Sequence, residues 1–278
     1  MKTSIENFGS QGLVSVEYPK ALRQAVEESV ELWKKFCDLP ESVRAQFPYN
    51  SGEGMRVGYE LKKTQGATLD IKEDFHFTRG AKQWLIEQSK KLNDPTIVEF
   101  VASLNRLVEL MNSTVAEFAQ AVERVYEMPG FTQEISENSD QWFMRFLHYF
   151  GGAQPGEEIA KAHADKSGFT FHLYESDPGL EYLDRKHHWQ DMPVSAGETV
   201  IIPGMRGQYC AQGKLKATWH RVVATSQTAK HGRFSAVAFI HPSFQTPQYN
   251  KAGMGRLQEF EPGFNYEMPF EEFAKLFK

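Results

Sequence analysis

Along the chain the spacing of apolar and polar positions changes character, and each change marks a different kind of element. Gly12-Leu13-Val14-Ser15-Val16 alternates as a short strand does, with successive side chains on opposite faces. Pro19 then opens a stretch in which Leu22, Val26, Val30, Trp33 and Phe36 recur at helical spacing, and Asp38-Leu39-Pro40-Glu41 closes it. Residues Pro48 to Gly66 are rich in glycine and polar groups and read as a long loop. Asp94-Pro95 sets a capping carboxylate before a proline, whose missing N–H does no harm at the first helical position. From there Ile97, Val101, Leu104, Val108, Met111, Val115, Ala119 and Val122 keep the helical period until Met128-Pro129-Gly130. A helix of about thirty residues would be ~45 Å long, enough to run the length of a sheet. Phe100, Leu107, Leu110 and Phe118 widen its apolar stripe beyond the narrow seam of a coiled coil.

After residue 140 the apolar segments become short and are separated by Gly, Pro and polar breaks. They are Trp142–Phe150, Phe169–Tyr174, Leu180–Leu183, Thr199–Ile202, Ala217–Ala224 and Phe234–Ile240. Many short strands at close spacing predict two facing sheets closed into a barrel. The expected fold is mostly β with helical elements: a double-stranded β-helix (jelly-roll, cupin-like) core under an N-terminal helical layer that includes the long scaffold helix. The expected organisation is a single domain over 1–278, with a mainly helical region 1–140, a jelly-roll catalytic core 141–245 and a C-terminal extension 246–278.

Composition narrows the function. A formal charge of −5, with basic residues scattered, gives no electrostatic case for nucleic acid or an acidic membrane as partner. Cys37 and Cys210 stand far apart without framework spacing, which argues for a reducing compartment. No apolar stretch approaches the ~18–20 residues that span a bilayer, and Met1 to Gly12 has no signal-peptide core. The expected location is the cytoplasm. The 21 Phe among 278 residues point to a large aromatic core or pocket.

Candidate chemistry lies in the second half. His163-Ala164-Asp165 puts an imidazole and a carboxylate on one side of an extended segment, a nitrogen and oxygen donor set suited to Fe(II). A third ligand from a distant strand, for which His220 in Thr218-Trp219-His220-Arg221-Val222 qualifies, would complete one face of an octahedron and leave three positions open. Taken alone, the His-x-Asp pair and a lone strand histidine carry the false-positive risk of any short motif. Downstream, Arg233-Phe234-Ser235 offers a guanidinium and a hydroxyl on one strand face, a pairing that can hold a carboxylate.

With these residues in view, the chain resembles the iron(II)/2-oxoglutarate-dependent dioxygenase superfamily, in the branch of isopenicillin N synthase and the plant flavonoid and gibberellin dioxygenases. Phe36-Cys37-Asp38-Leu39-Pro40-Glu41 and Gly58-Tyr59 resemble the end of that branch's N-terminal helix and the motif after it. Asp70-Ile71-Lys72-Glu73-Asp74-Phe75-His76-Phe77 resembles its D-x-K-E-x-F-x-F signature, and Met144 to Tyr149 its L-R-x-N-Y-Y strand. His163 to Leu183 and Gln212 to Val222 are similar to the two stretches that carry the metal ligands. The resemblance implies an enzyme in which His163, Asp165 and His220 bind iron. It implies that Arg233 and Ser235 hold the distal carboxylate of the co-substrate 2-oxoglutarate, assisted by Tyr149. Leu147 departs from the pattern, standing where many members have Asn, and the interval from His220 to Arg233 is longer than usual.

The implied reaction couples oxidative decarboxylation of 2-oxoglutarate to hydroxylation, desaturation or cyclisation of a small molecule, with O2 as the other substrate. The rivals are an iron oxidase of the same branch that needs no 2-oxoglutarate, and a non-catalytic ligand-binding cupin-like protein. A zinc hydrolase finds no obvious general base beside the ligands. Substrate selection is expected from two segments, Ser51–Gly66 with the following Phe75 and Phe77, and Met205 to Tyr209. Within them Arg56, Tyr59, Phe77, Arg206 and Tyr209 are the candidate contacts, for a small polar or anionic substrate. Surface ion pairing is the plain alternative for both arginines. His187 and His188 read as surface, and His172 as core or a neighbour of the metal ligands.

Overall fold

A computed structural model of the chain describes residues 4–51, 56–62, 71–195, 197–242 and 265–277. The first apolar stripe folds as the helix Lys20–Cys37, which buries Leu22, Val26, Val30, Trp33 and Phe36. The second folds as the 32-residue helix Pro95–Tyr126. The Asp94 carboxylate caps it by accepting the Ile97 N–H at 3.2 Å, and Glu127 ends it in the left-handed conformation. A shorter helix, Lys82–Leu92, leads into it.

Eleven strands form among the described residues: β1 (Val14–Glu17), β2 (Gly58–Lys62), β3 (Lys72–Thr78), β4 (Phe143–Tyr149), β5 (Glu158–His163), β6 (Phe169–Glu175), β7 (Leu180–Leu183), β8 (Trp189–Asp191), β9 (Glu198–Pro203), β10 (His220–Val223) and β11 (Arg233–Ile240). The major sheet runs β1-β9-β6-β11-β4-β3-β2 and the minor sheet β5-β10-β7-β8, with every pairing antiparallel. Each of the six apolar segments beyond residue 140 coincides with one of these strands to within a few residues.

Strand alternation gives the major sheet two unlike faces. Toward the helices it presents Phe75, Phe77, Met144, Phe146, Phe171 and Ile240, all in the main core. Trp33, Phe36 and Phe100 from the two long helices meet Phe75 there, with ring centroids 5.1 Å apart for Phe75–Phe100 and 5.4 Å for Phe36–Phe75. Into the barrel it presents Leu147, Tyr149, Val237 and Phe239, which belong to a second cluster with Ile159, Leu180 and Val222 of the minor sheet.

The expected loop from Pro48 to Gly66 is partly strand. Pro48 bridges to Tyr59, Asn50 to Val57, and β2 pairs along β3. Glycine is needed at Gly58, where φ is +107° and a Cβ would lie 2.5 Å from the Pro48 carbonyl oxygen. Its glycine and charged residues look loop-like because β2 is an edge strand whose pairing comes from β3. The front half therefore contributes three strands, β1, β2 and β3, to the major sheet as well as its helical layer. Residues 52–55 and 63–70 of the two loop-side motifs, and 246–264 of the expected C-terminal extension, lie outside the described residues. Among the described residues no helix is long and apolar enough to cross a membrane.

Phe75 sits fully buried where both long helices meet the sheet. Phe75→Ala is expected to lower unfolding free energy by about 3–5 kcal/mol, measured by denaturant titration. Ile71→Ala, at a side chain 46% exposed, should shift it by no more than ~0.5 kcal/mol.

Candidate active site

The register of the minor sheet sets His220, the first residue of β10, directly opposite His163, the last of β5. Their rings lie 4.4 Å apart, centroid to centroid. Asp165 follows just past the strand end, held by its own backbone: its carbonyl accepts the Met205 N–H at 2.7 Å. Gly204 makes that approach possible, since a Cβ there would fall 2.7 Å from the Asp165 carbonyl oxygen and 2.3 Å from that of Ser167. The Thr170 hydroxyl donates to Asp165 Oδ2 at 2.6 Å and so orients the carboxylate.

The three side chains converge. Asp165 Oδ1 is 3.7 Å from His163 Nε2, Oδ2 is 3.7 Å from His220 Nε2, and one ligand atom from each residue lies within 4.8 Å of the others. Both imidazoles turn Nδ1 to a backbone carbonyl, that of Lys161 at 2.7 Å for His163 and that of Thr218 at 3.3 Å for His220. A carbonyl only accepts, so Nδ1 carries the hydrogen and Nε2 keeps its lone pair for the centre. Burial pushes His220 down to about 4, which keeps it neutral. Burial would raise Asp165, but His220, His163 and the Thr170 hydroxyl outweigh it and hold the carboxyl below its ordinary value. Two imidazole nitrogens and one carboxylate oxygen are a donor set that a divalent iron takes.

Beside them is a cavity of about 350 Å³ between the sheets, into which Arg233 and Ser235 project from β11 and Tyr149 from β4. Arg233 is paired with Tyr149 in register and is fully buried. Its Nη2 donates to Glu175 Oε2 at 2.5 Å and to the Asp177 carbonyl at 3.0 Å, while Nε and Nη1 are buried with no hydrogen-bond partner. Unmet guanidinium donors in a buried cavity call for an anionic acceptor, and the carboxylate of a dicarboxylic co-substrate meets that demand. Leu147 also faces this cavity, leaving an apolar surface where many relatives of the expected branch have an amide.

Glu175 is a site residue that sequence reasoning missed. A bulge in β6 explains it: Ala236 pairs with Tyr174 and Val237 with His172, so Leu173 is skipped. Leu173 and Tyr174 both pack toward the helices, and Glu175 turns into the barrel opposite Ser235. Strict alternation from His172 would have pointed Glu175 out, and no signal in the sequence marks the bulge. His172 itself is buried in the same cavity, its ring 5.7 Å from that of His220.

The five expected substrate contacts divide. Arg56 and Arg206 line a second cavity of about 590 Å³, which shares His163 and Asp165 with the first. Tyr59, Phe77 and Tyr209 line neither. Tyr59 lies on the helix side of β2, where its hydroxyl donates to Glu73 Oε2 at 2.7 Å. Phe77, like Phe75, is on the helix-facing side of β3 and fully buried. Tyr209 donates to the Met268 carbonyl at 2.7 Å and packs on Phe273. Alternation in β2 and β3 turns these aromatic rings to the core, and the inward positions carry Lys72, Asp74, His76 and Thr78 instead. Another possible metal-binding group, Cys37 with Glu73 and His148, is a satisfied polar knot, because Glu73 is taken by Arg44, Tyr59 and His148.

Residues 142–242 match the 2OG-Fe(II) oxygenase superfamily. Over 292 aligned residues, the whole of this chain and 83% of the other, it is 24% identical to 1-aminocyclopropane-1-carboxylate oxidase of Prunus mume. It is 29% identical to the enzyme of the same name from Musa acuminata, over 42% of this chain and only 37% of that one. The fold is similar to that of the dioxygenase for auxin oxidation 1 from Arabidopsis thaliana, solved with 2-oxoglutarate. That likeness has a TM-score of 0.69 and 15% identity, covering 86% of this chain and 86% of that one. The chain is thus similar to iron(II)/2-oxoglutarate-dependent oxygenases over its second half and, at low identity, to plant oxidases over its whole length. The matched region holds all three converging ligand residues and Arg233.

Because backbone oxygens crowd Gly204, Gly204→Ala is expected to destabilise the fold by about 1–3 kcal/mol. Thermal unfolding of the metal-free protein measures this.

Proposed function

We propose that the protein oxidises a small molecule with O2 at an iron held by His163, Asp165 and His220, with the distal carboxylate of 2-oxoglutarate on Arg233, Ser235 and Tyr149. The observation that carries this reading is the junction of two unmet demands. Three ligand atoms converge with free lone pairs, and the cavity beside them ends in a fully buried arginine with two unpartnered donor atoms. Iron and 2-oxoglutarate together supply oxidation of a C–H bond, with succinate and CO2 as co-products. The chain's own part is to orient. The Lys161 and Thr218 carbonyls fix the imidazole tautomers, and Thr170 fixes the carboxylate. Arg206 and Arg56 line the approach on the other side of the ligands and select the substrate. The whole chain acts as one catalytic unit, and its two cysteines, far apart in the chain, fit a reducing, cytoplasmic setting.

Glu175 makes co-substrate binding in this chain particular. It holds one nitrogen of Arg233 and presents a negative charge to an incoming carboxylate. A second reading, an iron oxidase without 2-oxoglutarate, is favoured by the name of the curated relatives, oxidases of a small amino acid carboxylate. Substrate-dependent succinate release separates the two readings.

His163→Ala and Asp165→Ala are each expected to abolish stoichiometric iron binding, measured by metal analysis after gel filtration. Normal iron content in either variant would show that the centre lies elsewhere. Arg233→Leu should weaken 2-oxoglutarate by about 2–5 kcal/mol in an anaerobic titration. Glu175→Gln should act in the opposite direction, tightening it by ~1 kcal/mol as a like charge is removed. Unchanged affinity in Arg233→Leu would favour the oxidase reading.

A further inference from the structure

The second cavity has a charge distribution that iron and 2-oxoglutarate do not account for. Arg56, Arg145, Arg206 and Lys166 line it, against two carboxylates, those of Asp165 and the exposed Glu271. Asp165 belongs to the metal centre. Arg145, which the sequence did not single out, projects inward from β4 and lines both cavities.

Arg56 and Arg145 are held differently from the ion-paired arginines of the fold. Arg44, Arg106, Arg221 and Arg233 each hold a carboxylate at hydrogen-bond distance. Among the described residues, no carboxylate lies within 4 Å of either Arg56 or Arg145; both stand instead against aromatic rings. The Arg56 guanidinium is 4.6 Å from the centroid of Phe143, and that of Arg145 is 5.9 Å from Phe143 and 5.4 Å from Phe239. Phe143 and Phe239 are themselves stacked at 4.4 Å, a fixed double platform on the barrel wall. Contact with a ring face favours a cation without using its N–H groups, which lie in the guanidinium plane, point outward at its edge and stay available. Arg145 Nε is buried with no partner. The nearest inward acid on β3, Asp74, lies beside Lys62 Nζ at 3.5 Å. Arg56 is also held at its backbone, where both N–H and carbonyl hydrogen-bond the Thr78 hydroxyl, at 3.0 and 2.8 Å.

We infer that Arg56 and Arg145 form an oxyanion clamp on the Phe143–Phe239 platform, so that the molecule oxidised is a small organic acid held by its anionic end with its body toward the His163–Asp165 side of the metal centre. This assignment rests on the proposed oxygenase reading for the identity of the ligand as substrate. The clamp itself depends on neither metal nor 2-oxoglutarate. Thr78, Gln141 and Ser167 line the same cavity and supply polar contacts for the rest of the molecule.

The test is a binding comparison on the full chain, both metal-free and loaded with iron and 2-oxoglutarate without O2. Phenylacetate, hexanoate and phenyl phosphate are titrated beside the neutral phenylacetamide and hexanamide, by calorimetry. The acids should bind at least about tenfold more tightly than their amides in both forms. Arg56→Met and Arg145→Met should each remove most of that preference, and Arg145→Lys should restore part of it, with circular dichroism showing all variants folded. Tighter binding of phenyl phosphate than of phenylacetate assigns the oxyanion to a phosphate ester and keeps the clamp. Acid preference in a wild-type chain that fails to take up 2-oxoglutarate would sink the oxygenase reading and leave the clamp standing. Equal binding of acids and amides, no binding of any acid, or full preference in the Arg56→Met/Arg145→Met double variant overturns the clamp.

Discussion

The burial of one aromatic layer decides where every inward-facing group of the major sheet points. Trp33, Phe36 and Phe100 descend from the two long helices onto Phe75 and Phe146, and these rings leave the sheet no freedom of register. Side chains alternate with period two, so a slip of one residue would send Phe75 and Phe146 into the barrel and Arg145 and Leu147 into the helices. Burying each large side chain is worth about 1.5–3 kcal/mol, and a slipped register would lose several such contributions while also burying charge. The helical layer is thus what aims Arg145, Tyr149, Arg233 and Ser235 inward.

The barrel interior in turn carries more charge than an apolar core tolerates, and the ways it is balanced define the site. Arg233 is met on one side by Glu175, which a bulge in β6 brings into the barrel, and is unmet on the other. Asp165 lies between two imidazoles, of which the buried His220 is kept neutral by its burial. Arg56 and Arg145 rest on aromatic faces. Each arrangement leaves donors or lone pairs pointing into cavities that meet at His163 and Asp165. The centre therefore sits at a junction, with the cavity of Arg233 on one side and the cavity of Arg56 and Arg206 on the other.

Glycine serves the same end at the point of closest approach. The chain passes Asp165 and Ser167 at Gly204 with no room for a side chain, and this contact sets the position of the carboxylate relative to β5. Precision at the centre comes from backbone packing as much as from the ligands themselves.

How much could be read without coordinates follows from which interactions are local. The two long helices, the proline start at Pro95 and seven of the strands are written in periodicities that any window of the chain displays, because each element must bury one face. The ordered motifs around His163, Asp165, His220 and Arg233 were legible for the same reason: their spacing is tied to strand ends, and the structure brings these residues together. Side-chain direction in the front half was not legible. Tyr59, Phe77 and Tyr209 were expected at the substrate and instead face the helical core or the C-terminal segment, since the face a residue takes depends on which neighbour covers it. β2 read as loop because its partner β3 supplies its hydrogen bonds. Glu175 and Arg145 joined the site only through a bulge and a cross-strand register. The sequence by itself determined most of the elements, the donor set and the family resemblance; tertiary structure alone decided which charges share a cavity, because that depends on pairing between strands distant in the chain.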